Sequence, residues 1–446
     1  MSEVSRFVWR LMDGIRSASR GRSISTAFLI KVAGVGVALL TQLLLARLLG
    51  VTEYGRYQFA FTVATMLALL ANLGYPAAVV RFVSQYVVKR EWSQLKGLVR
   101  GTLGITLASS FFVASIAALA YWSLPGSPTR AVLLAFVLIP LISIKSLGSA
   151  LAQGLKAMVL AYAPDMVFRS LLLMTGALLV VVFFGTLTST AVIWVLAVTY
   201  AVLVTSQLAL LFRRLPAEFR SALPSYHHRS WRQVAFPLFL VASSGVVLDR
   251  TDIVMLGVLS GDAEVGVYSA ALKMAQLTSM GLFAVNAIAA PVIAELYVEE
   301  SRERLQAFAL RASGWALVPT VAVFAGFVLL GKAVLRLFGA EFVGGYWVLV
   351  ILAAAHVVNA MVGSVGHLLS MTGRQRHTAR VFAIGALVNI LLNGAMIPLW
   401  GGKGAAIASA VSTVFWNVWL YALVRNTMQI EASWVGKWIL DRGRVA

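Results

Sequence analysis

The chain has no cysteine, which excludes disulfides and thiolate metal sites. Charge is also scarce. Asp, Glu, Lys and Arg make up 12% of the 446 residues, against 60% hydrophobic ones. Acid is the scarcer sign, with 17 Asp and Glu facing 37 Lys and Arg. Short alternating strands are missing, so a membrane barrel is not expected. No Walker sequence occurs, so an ATP-driven pump would need a separate partner. The first residues lack a continuous apolar core, so no cleavable signal is expected and the first span should direct its own insertion.

What is present is length of apolar chain. Twelve stretches of about 20 apolar residues recur, each enough to cross ~30 Å of hydrocarbon. They lie near 24–48, 57–80, 98–124, 131–155, 161–184, 188–212, 234–258, 267–293, 306–330, 345–371, 381–399 and 402–424. The composition predicts an all-α integral membrane protein. With a cytoplasmic N-terminus, 25 of the 37 cations fall on the cytoplasmic side and five on the other. That is the positive-inside pattern with both termini cytoplasmic. It explains most of the net charge of +20 without a nucleic-acid partner. The outward connections are then short, which leaves no room for the large loops of a glycan polymerase or ligase. No enzymatic or catalytic motif stands out.

The chain repeats itself once. Glu53-Tyr54-Gly55-Arg56-Tyr57 follows the first span, and Glu264-Val265-Gly266-Val267-Tyr268 follows the seventh, 211 positions on. Six spans separate the copies, so the halves form a parallel repeat, with substrate expected near the midplane. This predicts an N-lobe over 24–212 and a C-lobe over 234–424, joined by a polar cytoplasmic linker at 213–233. The segments 1–23 and 425–446 read as cytoplasmic amphipathic ends that contact membrane lipids. His227 and His228 in the linker have no third ligand nearby, so no metal site is expected.

Seven cations remain inside the spans: Lys31, Arg47, Lys145, Arg169, Arg250, Lys273 and Arg311. Each would cost about 2.5–3.5 kcal/mol at the bilayer centre if it faced lipid. Arg47 and Arg311 sit near span ends and can snorkel to the headgroups. Lys31 and Lys273 lie about 10 Å deep, at 1.5 Å per residue. Lys145, Arg169 and Arg250 are deeper. The candidate substrate-binding set is therefore Lys145, Arg250, Arg169, Lys31 and Lys273, and its sign points to an anionic cargo. On one face with Lys145 lie Gly148, Ser149 and Ala152, which suits a cavity wall. Asp165 is placed to pair with Arg169 along one helix. Asp249 and Asp252 are three apart on a shared face. These three acids are the candidates for binding a coupling H⁺ or Na⁺; no other cofactor is expected. His356, Asn359, Gly363 and His367 form a further polar stripe, readable as a proton relay or as interhelical hydrogen bonding.

Ala46-Arg47-Leu48-Leu49-Gly50 and the Glu53–Tyr57 run resemble the opening of the polysaccharide transporters, the O-antigen flippases. So do Arg81-Phe82-Val83, the run from Asp262 to Ala271, Leu337-Phe338-Gly339-Ala340-Glu341-Phe342, and Ile397-Pro398-Leu399-Trp400-Gly401. That family sits in the multidrug/oligosaccharidyl-lipid/polysaccharide exporter superfamily. The resemblance implies two six-helix lobes around a central cavity, alternating access and residence in the bacterial cytoplasmic membrane. It implies a polyprenyl-pyrophosphate-linked oligosaccharide cargo, moved to the outer leaflet for O-antigen, capsule or exopolysaccharide synthesis, with a polymerase and glycosyltransferases as partners. Each negative charge moving outward would gain about 2.3 kcal/mol per 100 mV of inside-negative potential. A multidrug or cation antiporter of the same superfamily is the alternative, but its cavity should be acid-rich. A non-transporting scaffold of an assembly complex is a further one.

Overall fold

The computed structural model of the chain describes residues 19–123 and 129–437. Every regular element among them is helical. Ten are long and apolar enough to cross a membrane. Two of these ten, α1 (Ser19–Asn72) and the last helix (Gln375–Met428), are each two helices merged across a glycine. Gly50 (φ 71°, ψ 175°) and Gly401 (φ 53°, ψ −132°) take conformations that cost a side-chain-bearing residue dearly. Splitting both elements there gives twelve segments among the described residues, the predicted number; the bounds differ, most clearly at 267–293, which breaks at Ser279 between Asp262–Thr278 and Met280–Val298. The chain is thus a multi-pass membrane protein. Its lipid-compatible surface shows in exposed Phe111, Phe112, Leu119, Phe183, Phe184, Leu329 and Leu330.

The chain divides into two compact units. Among the described residues, unit 1 comprises 19–48, 63–123 and 129–240, and unit 2 comprises 49–62 and 241–437. In unit 1, α2 (Tyr75–Lys89), α3 (Trp92–Trp122), α5 (Leu138–Gly154) and α8 (Ser189–Arg214) surround a core that includes Tyr86, Leu98, Leu147, Leu211 and Trp231. The short α4 (Arg130–Ala135) and α6 (Met158–Ala163) extend their neighbours. Small residues set the helix separations, as expected where lipid supplies no hydrophobic drive. A Cβ on Gly154 would stand 2.6 Å from the Cβ of Val83, and one on Gly148 would stand 2.8 Å from Gln207 Oε1. The polar run 213–233 is tied down: Ser225 N–H donates to Ser93 O at 2.9 Å, and Lys96 Nζ to Ala222 O at 2.8 Å.

Unit 2 shows what the repeated motif is for. Gly50 and Gly261 occupy equivalent places 211 apart, and both have positive φ (71° and 92°). Each ends one helix and turns the chain into the next. Gly55 and Gly266, also equivalent, each lie against the backbone of the other copy of the motif. A Cβ on Gly55 would collide with Asp262 O, and one on Gly266 with Val51 O. Arg56 fastens the contact, with Nε 2.9 Å from the Asp262 carboxylate and a second ion pair to Glu53. Tyr54, Tyr57 and Tyr268 are fully buried beside it. At the far end of the chain, Gln306 and Glu431 exchange two hydrogen bonds at 2.7 Å, and Trp434 N–H donates to Ser313 Oγ. Residues 429–437 are thereby bound to unit 2. Of the amphipathic ends, residues 1–18 and 438–446 lie outside the described residues.

Candidate functional site

Unit 1 contains a cleft of about 460 Å³. Lys145, from the middle of α5, reaches its wall and is only 2% exposed. Its ammonium forms an ion pair with Asp165. That acid sits in a one-turn π segment, Pro164–Phe168, where Arg169 N–H reaches back five residues to Pro164 O. Proline cannot donate, and the widened turn marks the register break between α6 and α7 (Arg169–Phe184). Such bulges recur at functional sites. Ser149, Gln153, Tyr162 and Tyr200 complete the polar lining.

The sequence suggested Asp165 and Arg169 as a pair along one helix. The structure instead gives Asp165 a partner on another helix, Lys145. The helical spacing was real, but a carboxylate at a cavity wall is better satisfied by a buried ammonium facing it. Arg169 is half-buried and lies within electrostatic reach of Lys145. The expected face around Lys145 also divides. Ser149 lines the cleft, whereas Gly148 and Ala152 are buried in packing, with Gly148 admitting Gln207. Gln207 Nε2 donates to Ser149 Oγ at 3.2 Å and Leu160 O at 2.6 Å.

In unit 2 the two neighbouring aspartates separate. Asp249 is exposed, whereas Asp252 is 3% exposed. Both belong to α10 (His228–Leu259). A three-residue step leaves the second side chain about 60° round the helix, enough to move it from the surface into the protein. One Asp252 oxygen accepts from Ile253 N–H at 2.8 Å. The other accepts from the Tyr268 hydroxyl of α11 (Asp262–Thr278) and lies 3.5 Å from Ser409 Oγ. Asn389 Nδ2 is 3.4 Å from Ser409 Oγ, and Asn393 donates back to Asn389 Oδ1 at 3.0 Å. Tyr268 also lines a cavity of about 350 Å³ with Glu264, Trp400 and Lys403. Asn389, Asn393 and Ser409 were not picked out from sequence, and Tyr268 stood out only as a member of the repeated motif. The i, i+4 spacing of Asn389 and Asn393 inside a hydrophobic span was the available signal.

Arg250 and Lys273 are half-buried in unit 2. Arg47 and Arg311 are exposed. Lys31 lies on α1, with its side chain outside the described residues.

Comparison with known proteins follows the geometry. A family model described as polysaccharide biosynthesis protein matches residues 21–297. A probable low-salt glycan biosynthesis flippase, Agl15 of Haloferax volcanii, is 23% identical over 162 residues, which is 36% of this chain and 34% of that protein. The chain thus matches about a third of that relative's length. Among solved structures, the lipid II flippase MurJ in an inward closed conformation superposes with a TM-score of 0.73 at 13% identity, covering 90% of this chain and 87% of that one. An inward-facing multidrug resistance MATE family transporter of the MOP superfamily gives 0.72 at 15% identity, covering 89% and 94%. At these identities the likeness establishes the fold: two lobes of six transmembrane helices.

Proposed function

Because the chain belongs to the polysaccharide biosynthesis protein family, we propose that it is a flippase for a lipid-linked oligosaccharide. It carries an anionic polyprenyl-pyrophosphate headgroup with its glycan from the cytoplasmic to the outer leaflet by alternating access. It is a transporter and not an enzyme, and it sits in the cytoplasmic membrane with both termini inside. The observation that carries this reading is the buried Lys145 ammonium at the wall of the unit 1 cleft. Burying a cation is expensive, so a chain keeps one where an anion offsets the cost. In the resting protein that anion is Asp165. A pyrophosphate oxygen competes for the same ammonium. Arg169 and Arg250 add positive charge at depth; Lys31 and Lys273 belong to the same set.

Asp252 is the coupling group in this reading. Its carboxylate, held by Tyr268 and Ser409, takes up H⁺ or Na⁺, and the cavity that Tyr268 shares with Glu264 gives access to it. The named activity of the Haloferax relative and of MurJ supports the choice of a glycan-bearing lipid. A multidrug antiporter shares the fold, but an organic cation would be repelled by Lys145. O-antigen, capsule or exopolysaccharide precursors are the natural cargo class, with glycosyltransferases upstream and a polymerase downstream.

Removing the protein from its host tests this. Lipid-linked glycan should accumulate on the cytoplasmic face, shielded from an impermeant sugar-labelling reagent in intact cells and labelled after permeabilisation. Undiminished labelling in intact cells would count decisively against a flippase.

A further inference from the structure

Unit 2 contains another cavity, of about 260 Å³, where a transmembrane helix is broken. Helix α14 (Tyr346–Val362) stops and α15 (Val365–Met371) starts after two intervening residues. Gly363 makes the break, at φ 77° and ψ −153°. Its backbone is pressed against its neighbours: a Cβ there would stand 3.0 Å from the Ser313 Cβ and 3.4 Å from Ala432 O. Irregular backbone within a membrane protein is tolerated where it is buried or lines a cavity, and broken helices often mark binding sites. Of the polar stripe legible in sequence, Asn359, Gly363 and His367 line this cavity and His356 does not.

The wall chemistry is specific. It contains no Asp, Glu, Lys or Arg. Its accessible polar groups belong to Asn359, His367 and Ser370, all half-buried, while Asn417 Oδ1 and Thr378 Oγ1 are buried without a hydrogen-bond partner. Asn417 is anchored, since its Nδ2 donates to Thr413 O at 2.9 Å. Ser364 Oγ donates to Asn286 Oδ1 at 2.6 Å across the break. Trp416 and Phe382 meet edge to face, with centroids 5.2 Å apart, and both rings border the space.

These features exclude several occupants. An anionic headgroup would find no cation there. A metal ion would find no carboxylate. A lipid chain would leave the polar groups of Asn359, His367 and Ser370 unmatched, at a cost that buried polar groups rarely bear. A neutral polyol matches them. Its hydroxyls can exchange hydrogen bonds with Asn359, His367 and Ser370, and a pyranose C–H face can lie on Trp416, whose ring face is electron-rich. The volume lies below the roughly 300–1,000 Å³ of sites for whole drug-sized ligands, so it suits one ring and not a full glycan.

We propose that this cavity is a sugar subsite that binds one uncharged monosaccharide ring of the lipid-linked glycan. It rests on the flippase reading for the source of the sugar, but its existence can be tested without transport. The full-length protein would be placed in lipid nanodiscs prepared without glycoside detergents, whose headgroups would compete. Saturation-transfer NMR would then be recorded with methyl glucoside, methyl galactoside, methyl N-acetylglucosaminide and methyl glucuronide. At least one neutral glycoside should bind in the millimolar range and the glucuronide should not. Trp416→Leu and Asn359→Ala should each weaken binding by ~10-fold or more, one decade in the dissociation constant. Should either variant fail to fold, Ser370→Ala, at another half-buried wall position, serves in its place. No neutral glycoside binding to the wild type, a water-filled cavity only, would overturn the proposal. So would binding that the wall variants leave unchanged. The two readings separate cleanly. Sugar binding without lipid translocation removes the flippase and keeps the subsite. Translocation without sugar binding does the reverse.

Discussion

Lys145→Ala is expected to cut glycan export by at least ~100-fold, a loss of about 2.7 kcal/mol of transport-state stabilisation. The protein should still insert and fold. Alanine removes a buried cation and leaves Asp165, whose side chain is 42% exposed and can be hydrated through the cleft. The converse variant behaves differently. Asp165→Ala strands the Lys145 ammonium, 2% exposed, without its partner. Breaking a buried pair from that side typically costs about 3–5 kcal/mol, so it should lower the melting temperature visibly. The exchange Lys145→Asp with Asp165→Lys decides what the pair is for. A purely structural bridge would be restored in both folding and export. A cation that must meet the headgroup from α5 would regain stability and not export. Surface glycan and thermal melting, measured on the same four proteins, give the answer.

Asp252→Asn should abolish the dependence of transport on an ion gradient. Asparagine keeps the size of the side chain and can still accept from Ile253 N–H. It cannot carry the charge that binds H⁺ or Na⁺. Export in vesicles should fall ~10-fold or more under an imposed pH or Na⁺ gradient, about one decade or 1.4 kcal/mol, and should approach the rate seen without a gradient. Tyr268→Phe removes one hydrogen bond to the same carboxylate and should give a smaller loss in the same direction. An Asp252→Asn protein that responds to both gradients like the wild type would remove Asp252 from the coupling role.

Much of the architecture was legible before any coordinates. A span must be about 20 apolar residues long, so the membrane segments print themselves on the sequence. The repeat was also visible, because Gly55 tolerates no side chain against Asp262 and Gly266 none against Val51. Depth along a span was readable, and Lys145, placed deep by the sequence, is buried at the wall of a cleft. Partners were not readable. Asp165 and Arg169 satisfied helical spacing, yet the ion pair formed across helices with Lys145. Asp249 and Asp252 seemed to share a face, and one step around the helix separated surface from interior. The chain around Asp252 links residues 16 and 157 positions apart in Tyr268 and Ser409. No local pattern encodes such meetings; they come from the packing of segments distant in sequence. The orphan acceptors of Asn417 and Thr378 belong to the same class.

The most direct test of the central claim is translocation by the purified protein alone. Liposomes containing it would be loaded with a polyprenyl-pyrophosphate-linked oligosaccharide, and an impermeant sugar-modifying reagent would report how much reaches the opposite leaflet. The account predicts modification of both leaflets with the wild type, and of only the accessible leaflet with Lys145→Ala or in protein-free liposomes. Wild-type liposomes that behave like protein-free ones, or Lys145→Ala liposomes that behave like wild type, would contradict it.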